Sequence, residues 1–147
     1  MERSLIGILG ASGKVGQLVC DYLVRNTGYI VKAGYRKTIP FLFNGRLRWQ
    51  FVDIQDKQKL FEFCRDCKII INCIGSSRNI NLNLAFMAHE VGAIYIDTYG
   101  TGKLKKELVN RDIVNSGCYI LGAGVYPGLT GIAMNYLFYF QDIMKQI

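Results

Sequence analysis

The sequence is poor in the residues that build disulfide-rich or metal-bound domains. Its 147 residues include one histidine and five cysteines, an odd number with no paired arrangement. A secreted disulfide framework has an even number of regularly spaced cysteines. A secretory signal is also lacking, because residues 1–4, MERS, lead directly into a predicted strand. We therefore expect the protein to lie in the cytoplasm.

Two cysteines, Cys64 and Cys67, have the spacing of a zinc or redox motif. A structural zinc site needs four ligands, and neither Cys73, placed within a predicted buried strand, nor His89 supplies a second closely spaced pair. We therefore predict no metal site. His89 falls in the middle of a predicted helix, where we interpret it as a packing or surface residue and not as an acid–base catalyst.

Acidic residues are few, with 11 Asp and Glu against 18 Lys and Arg, and the formal net charge is +7. An excess of positive charge can indicate a polyanionic partner such as a nucleic acid. Here, however, the basic residues are dispersed between the predicted strands and helices. The one cluster, Lys103-Leu-Lys-Lys106, lies on a predicted helix beside Glu107, and we interpret it as a solvated face. We predict no nucleic-acid partner; the alternative, a nucleic-acid-binding domain, would bind DNA or RNA with steep salt dependence.

Charge is absent altogether from residues 118–140, a length that could span a bilayer. Four glycines and Pro127 interrupt this stretch, however, and divide it into a strand, a turn and a helix. We therefore predict no membrane-spanning segment.

Apolar residues make up half of the chain, which is long enough for one globular domain. Their spacing predicts alternating strands and helices, with only the connection around residues 40–45 non-helical. This alternation predicts an α/β doubly wound parallel sheet of order 3-2-1-4-5-6. The predicted strands are 4–9, 29–35, 46–52, 68–74, 93–96 and 118–121. The predicted helices are one ending at 26–28, with Val15, Leu18, Val19, Tyr22 and Leu23 on one face, and those at 57–65, 81–91, 103–115 and 129–144.

Three glycines at a spacing of three, Gly10, Gly13 and Gly16, lie between the first predicted strand and the first helix. Glycines also form ordinary tight turns, but in this position they indicate dinucleotide binding. Gly10 would permit the turn, Gly13 the approach of a pyrophosphate, and Gly16 close packing of the helix on the strand. The N-terminus of the helix would hold the phosphates.

The end of the second predicted strand indicates which nucleotide binds. A free ribose 2′-hydroxyl is usually held there by Asp or Glu, whereas this chain has Arg36 and Lys37. Arg36 could pair with a 2′-phosphate and Lys37 could add a charge, so NADP(H) is favoured over NAD(H). The alternative is a pair of solvent-facing cations.

Two further strand ends face the same crevice. Asp53 could accept a hydrogen bond from the adenine amine, or it could form a turn before Asp56. The segment 72–77, NCIGSS, leaves the fourth strand where the strand order reverses, and it could meet the nicotinamide half of the cofactor.

The segments GILGASGKVG, AGYRK, FVDIQD, INCIGS, YIDTYG and LGAGVYPGLTG together resemble the NADP-binding domain of the saccharopine dehydrogenase family. That family reduces an imine formed between an amino acid and a carbonyl acid, or catalyses the reverse reaction. The resemblance implies binding of NADP(H), or less favourably NAD(H), and proximity of Asp97 and Tyr99 to the reacting carbon. The cofactor-binding residues that it implies are Gly10, Ala11, Ser12, Gly13, Lys14 and Val15 for phosphate, Arg36 for the 2′-phosphate, Asp53 for adenine, and Cys73, Ile74, Gly75 and Ser76, after Asn72, for nicotinamide.

The resemblance divides the chain into a dinucleotide-binding domain, residues 1–128, and a helix, 129–147, that leads toward a second domain. That domain would supply most substrate contacts and often the dimer interface, so we expect this chain alone to be inactive. The helix has apolar residues nearly all round its axis, and we expect self-association through Tyr136 and Phe140. The alternative function is an NADP(H) sensor without turnover.

Overall fold

A computed structural model describes residues 5–40, 42, 44–75, 78–99, 102–124, 128–130 and 132–133. Strands and helices alternate along this part of the chain. The elements are β1 (Leu5–Leu9), α1 (Lys14–Asn26), β2 (Ile30–Tyr35), β3 (Leu47–Phe51), α2 (Lys57–Cys64), β4 (Ile69–Asn72), α3 (Arg78–Glu90), β5 (Ile94–Asp97), α4 (Gly102–Asn110), a short 3-10 helix (Val114–Ser116) and β6 (Tyr119–Leu121).

The strands form one sheet in the order β3-β2-β1-β4-β5-β6, and every neighbouring pair is parallel. The predicted fold class and strand order are therefore confirmed. Because the order reverses between β1 and β4, the loops that come after these two strands diverge and open a crevice at the carboxyl edge of the sheet.

The connection between β2 and β3 is not helical where it is described, as predicted. It is held by the indole nitrogen of Trp49, which donates to the carbonyl oxygen of Leu42 at 3.0 Å. Asn44 adds a local turn, since its side chain accepts from the backbone N–H of Arg46 and its carbonyl accepts from that of Leu47.

Two apolar clusters cover the two faces of the sheet. The larger one joins α2, α3 and α4 to one face around Phe63, Ile70 and Tyr95. The smaller one joins α1 to the other face around Ile8, with Cys20 and Val31. The crossovers from β1 to β2 and from β4 to β5 run in opposite directions along the sheet, and right-handed crossovers then place their helices on opposite faces.

Helix α1 buries a different stripe from the predicted one. Gly16, Cys20 and Val24 are buried, whereas Leu18 is 72% and Tyr22 65% exposed. Of the predicted face, Val15 is also exposed and only Val19 and Leu23 pack on the core. The prediction was wrong because the small residues decide the contact: Gly16 has no side chain, so the helix approaches the sheet along its Gly16–Cys20–Val24 side.

Helix α4 ends at Asn110, five residues before its predicted end at 115. The backbone of Asp112 has φ of +54°, a left-handed conformation that stops the helix, and the Asp112 carboxylate accepts a hydrogen bond from Asn115 at 2.7 Å. The last predicted helix is described only at its start, where residues 129, 130, 132 and 133 are helical; residues 134–147 lie outside the described part.

Basic side chains from neighbouring segments hold the C-terminal ends of two helices. Lys32 on β2 donates to the carbonyl oxygen of Phe63 at 2.7 Å, at the end of α2. Arg46 donates to the carbonyl oxygens of Val24 and Thr27 at the end of α1. These contacts satisfy carbonyl groups that have no partner within the helix and place positive charge at the negative end of the helix dipole.

Two substitutions in α1 test which of its sides is buried. Val24→Ala should lower the free energy of unfolding by about 2 kcal/mol, because it leaves a cavity in the core. Leu18→Ala should change it by less than about 0.5 kcal/mol, because Leu18 is largely in solvent. Urea denaturation measures both values. A larger loss for Leu18→Ala than for Val24→Ala would contradict the observed orientation of α1.

Candidate functional site

A pocket of about 280 Å³ lies at the carboxyl edge of the sheet, where the segments after β1, β2, β3 and β4 meet. It brings together several predicted site residues from three separate segments. The lining residues are Gly10, Ser12, Gly13, Gly34, Tyr35, Arg36, Val52, Ile54, Cys73, Ile74 and Gly75.

The glycine turn after β1 is built by close backbone contacts. Gly10 has φ of +76°, and a Cβ there would lie 2.9 Å from the side chain of Ile74. A Cβ on Gly16 would lie 2.6 Å from the Cα of Ala11, so the helix touches the turn directly. Gly13 differs, because its nearest neighbour would be the Gly10 carbonyl oxygen at 3.3 Å. The fold therefore requires glycine at 10 and 16, while position 13 faces the pocket.

The N-terminus of α1 opens toward this pocket without a side-chain cap. Gly13 is the N-cap residue, and no acidic residue lies in the first turn. Lys14 and Val15 are exposed there, while Ala11 is buried beneath the turn. Uncapped N–H groups and the positive end of the helix dipole form a site suited to a phosphate group.

The turn is anchored to its neighbours by hydrogen bonds. The backbone N–H of Ala11 donates to the carbonyl oxygen of Gly34 at 3.0 Å. The side chain of Gln17 donates to the carbonyl oxygen of Ser12 at 2.8 Å. The loop is thus held in place from β2 and from α1, which leaves its outer surface open.

The end of β2 supplies the positively charged wall. Arg36 lines the pocket and is exposed, and Lys37 is exposed beside it but is not a lining residue. Sequence reasoning missed Gly34 and Tyr35, which precede Arg36, and Val52 and Ile54, which flank Asp53. These four residues could have been predicted to line the pocket, because they are adjacent in sequence to the predicted site residues Arg36 and Asp53.

Asp53 forms a turn in this structure. Its carboxylate accepts from the backbone N–H of Gln55 at 3.0 Å, and its carbonyl oxygen accepts from that of Asp56 at 3.1 Å. Asp56 then caps α2 by accepting from the N–H of Lys59, a bond that lowers the pKa of Asp56. Asp53 is half-buried and not among the residues that line the pocket. Its contact with adenine stays a prediction.

A buried polar network joins the ends of β4 and β5. Asn72 and Asp97 are both 0% exposed. The amide nitrogen of Asn72 lies 3.1 Å from the Tyr95 hydroxyl and 3.2 Å from Oδ2 of Asp97, and the Tyr95 hydroxyl donates to the same Asp97 oxygen at 2.8 Å. The side-chain oxygen of Asn72 accepts from the backbone N–H of Ile74 at 3.0 Å. The network therefore holds the start of the loop that lines the pocket.

This network revises what was expected of Asp97 and Asn72. Asp97 does not line the crevice, because its carboxylate is enclosed and its Oδ1 accepts from the backbone N–H of Tyr99 at 2.8 Å. The Tyr99 side chain is exposed. Asn72 likewise faces the interior and positions the loop. The geometry gives Asp97 and Asn72 a structural role at the edge of the site.

Cys73 lies just after β4 and in the pocket wall, not inside a buried strand as predicted. Burial, with the nearby Asp97, raises the pKa of the Cys73 thiol to about 11. The thiol is therefore protonated at neutral pH and is a poor nucleophile. Ile74 and Gly75 continue the wall, and Ser76 lies outside the described residues.

Cys64 is the last residue of α2 and Cys67 comes shortly after it. Both are buried, and burial raises the pKa of the Cys64 thiol to about 12 and that of the Cys67 thiol to about 11. Within the described part of the chain, no group of three or more His, Cys, Asp or Glu residues could hold a metal ion. His89 is half-buried on α3, and Lys105 and Lys106 are exposed on α4. Over the described residues, no helix has the length and apolar character needed to cross a membrane.

The sequence model of the saccharopine dehydrogenase NADP binding domain matches residues 6–111. The chain belongs to this family. The matched segment contains the pocket and all strands except β6, and the predicted cofactor, NADP, is the one after which this domain is named. A comparison with curated protein sequences finds no match.

Solved structures share the fold of this saccharopine dehydrogenase-type domain at low identity. Saccharopine dehydrogenase (L-Glu forming) from Saccharomyces cerevisiae is 18% identical, with a TM-score of 0.58 over 71% of this chain and 24% of its own. A short-chain dehydrogenase/reductase from Veillonella parvula DSM 2008, in complex with NADP, is 18% identical, with a TM-score of 0.59 over 71% and 50%. Uronate dehydrogenase from Agrobacterium tumefaciens is 15% identical, with a TM-score of 0.57 over 68% and 42%. The chain thus spans half or less of the length of these proteins.

Two tyrosines provide a matched test of the buried network. Tyr95→Phe should lower the free energy of unfolding by about 1–3 kcal/mol, because it removes a donor from the enclosed Asp97 carboxylate. The hydroxyl of Tyr119 is also buried but has no hydrogen-bond partner among the described residues. Tyr119→Phe should therefore leave stability unchanged or raise it by about 1 kcal/mol. Equal losses in urea denaturation would show that the network contributes nothing specific.

Proposed function

We propose that this chain is the cofactor domain of an NADP(H)-dependent oxidoreductase that acts on C–N bonds, by imine reduction or amine oxidation. One juxtaposition is the main support: the uncapped N-terminus of α1, with Gly13 facing outward, shares a pocket with Arg36. The first group suits a pyrophosphate and the second suits a 2′-phosphate. The C–N chemistry rests on the family alone.

Each part of the pocket has a proposed role toward the cofactor. The turn from Gly10 to Gly16 holds the pyrophosphate, with backbone N–H groups as donors. Arg36 pairs with the 2′-phosphate. Outside the lining itself, Lys37 adds positive charge, and Asp53, between the lining residues Val52 and Ile54, accepts a hydrogen bond from the adenine amine. The loop from Cys73 to Ser76 borders the nicotinamide, which supplies or accepts the hydride when bound. The Asn72 network keeps this loop in place.

Among the described residues that line the pocket, the Tyr35 hydroxyl and the Cys73 thiol are the side-chain groups that could take part in acid–base chemistry. These lining residues include no carboxylate and no histidine, and the raised pKa of Cys73 keeps that thiol protonated. We therefore propose that substrate-binding groups come from a second domain, that residues 1–128 form the dinucleotide-binding domain, and that 129–147 lead toward the second one. The proposed substrates are an amino acid and a keto acid. We expect the protein to lie in the cytoplasm and to self-associate, and we expect this chain alone to be inactive.

The lack of a carboxylate and of a histidine among the described lining residues supports a second candidate function, an NADP(H) sensor without turnover. The two functions differ in whether a substrate-binding domain follows the cofactor domain in the full-length protein. The product of the full-length gene should oxidise NADPH in the presence of a keto acid and an amine if it is an oxidoreductase. Cofactor binding with no turnover over a broad panel of such pairs would favour the sensor.

Binding of NADPH to this chain tests the pocket directly. The unaltered chain should bind in a calorimetric titration, and Gly13→Ala should weaken binding by about tenfold or more, equivalent to about 1.4 kcal/mol, because the added methyl group occupies the phosphate approach. Gly28→Ala is the control, since a Cβ there meets no atom of the described residues within 4 Å. A folded chain that shows no heat at millimolar NADPH would contradict the assignment.

Arg36→Ala tests the choice of nucleotide. A charge-assisted pair contributes about 1.5–3 kcal/mol, so affinity for NADPH should fall roughly tenfold to a hundredfold while affinity for NADH hardly changes. Arg48→Ala, which removes an exposed positive charge on β3 outside the pocket, is the matched control. Equal losses for both nucleotides would show that Arg36 supports the fold instead.

A further inference from the structure

Asn81, the fourth residue of α3, belongs to the buried polar network at the ends of β4 and β5. It is 5% exposed, and its Oδ1 accepts a hydrogen bond from the side-chain amide of Asn72 at 3.3 Å. Its carbonyl oxygen lies 3.4 Å from the Tyr95 hydroxyl. Burial of an amide costs free energy that an apolar residue at the same helix position would avoid. The amide of Asn81 therefore indicates a specific role at this position.

The side chain of Asn72 connects Asn81 to the wall of the pocket. Its oxygen accepts from the backbone N–H of Ile74 at 3.0 Å, and because this N–H can only donate, the oxygen end of the amide must face Ile74. The amide nitrogen then faces the opposite way, toward Asn81 and the Asp97 carboxylate. Contacts from α3 and β5 thus orient an amide that in turn holds the backbone of Ile74.

The main chain at the end of β4 is held by bonds that do not involve Asn81. The carbonyl oxygen of Asn72 accepts from the backbone N–H of Thr98 at 3.2 Å and from its hydroxyl at 3.0 Å. The backbone N–H of Cys73 donates to the carbonyl oxygen of Leu9 at 2.9 Å. Removal of the Asn81 side chain should therefore leave the strand in place and change mainly the orientation of the Asn72 amide and the position of Ile74.

The contact chain from Asn81 reaches one side of the pocket. Cys73, Ile74 and Gly75 line that side, and we refer to them as the β4 wall. The phosphate turn is anchored separately, since the N–H of Ala11 donates to the carbonyl oxygen of Gly34 on β2. Arg36 likewise belongs to the end of β2. The described contacts of Asn81 thus extend to the β4 wall and not to the part of the pocket that suits phosphate groups.

We infer that Asn81 is a positioning residue for the nicotinamide half of the cofactor, acting through the Asn72 amide on the β4 wall. This role rests on the proposed function, in which the β4 wall borders the nicotinamide. Loss of the Asn81 amide should therefore weaken contacts to the nicotinamide half. The adenine and the 2′-phosphate, which are assigned to the β2 side of the pocket, should stay bound as before.

Two ligands test this selectivity in calorimetric titrations of the full chain. NADP⁺ contains both halves of the cofactor, whereas 2′,5′-ADP contains the adenine, its ribose and the 2′-phosphate but no nicotinamide. Asn81→Ala should weaken binding of NADP⁺ by about threefold to tenfold, the range for one lost hydrogen bond, and binding of 2′,5′-ADP by less than about twofold. Asn83→Ala is the matched control, since Asn83 is exposed on the same helix, and it should alter neither affinity.

Hydrogen exchange measures the β4 wall without any ligand. In Asn81→Ala, the amide hydrogen of Ile74 should exchange at least several-fold faster, because the amide that accepts from it is no longer held by α3. The amide hydrogen of Ala11, which bonds to β2, should exchange at an unchanged rate and serves as the internal control. Asn81→Ser provides a second variant, with a polar group kept in the buried position, if the first one does not fold.

The outcomes separate this role from a purely structural one. Equal losses of affinity for both ligands, or faster exchange at Ile74 and Ala11 alike, would overturn the inference, because Asn81 would then support the fold as a whole. Unchanged affinity for NADP⁺ in a folded Asn81→Ala variant would overturn it as well. If the unaltered chain binds neither ligand, the proposed function fails and the assigned role of Asn81 fails with it, which is a distinct result.

Discussion

The contact between α1 and the turn after β1 determines both the packing of this helix and the shape of the pocket. Gly16 rests against the backbone of Gly10 and Ala11, closer than any side chain would permit. That contact sets which stripe of α1 faces the sheet and brings the start of the helix to the carboxyl edge. The same close approach directs the uncapped N–H groups toward the pocket. The packing of the helix and the shape of the pocket thus depend on the absence of side chains at Gly10 and Gly16.

Polar groups at the neighbouring strand ends support the pocket from within. Asn72, Tyr95 and Asp97 bond to one another in a fully buried setting, where an unpaired group would be costly. Because the Asn72 side chain also accepts a hydrogen bond from the backbone N–H of Ile74, the network holds the adjoining pocket wall in position. The buried carboxylate of Asp97 is thereby explained by its partners, with no need of a catalytic role.

The helices cover the two faces of the sheet unevenly. Three helices cover one face, while α1 covers part of the other. Among the described residues that line the pocket, Gly13 and Arg36 suit phosphate groups, and none is a carboxylate or a histidine. The chain covers 50% and 24% of the length of two longer proteins that share its fold.

The amino-acid sequence was sufficient to predict the alternation of strands and helices and the glycine turn, because these depend on local periodicity and on residues with few conformational alternatives. The strand order followed from the fold class that this alternation indicates, and the family followed from the resemblance of six segments. It did not predict the orientation of α1, since apolar residues occupy more than one side of that helix and only contact with the sheet selects Gly16, Cys20 and Val24. It also misplaced Asp97 in the crevice, because a carboxylate at a strand end can face either way. The folded arrangement brings the Tyr95 hydroxyl and the Asn72 amide to that carboxylate, and these long-range contacts make it point inward.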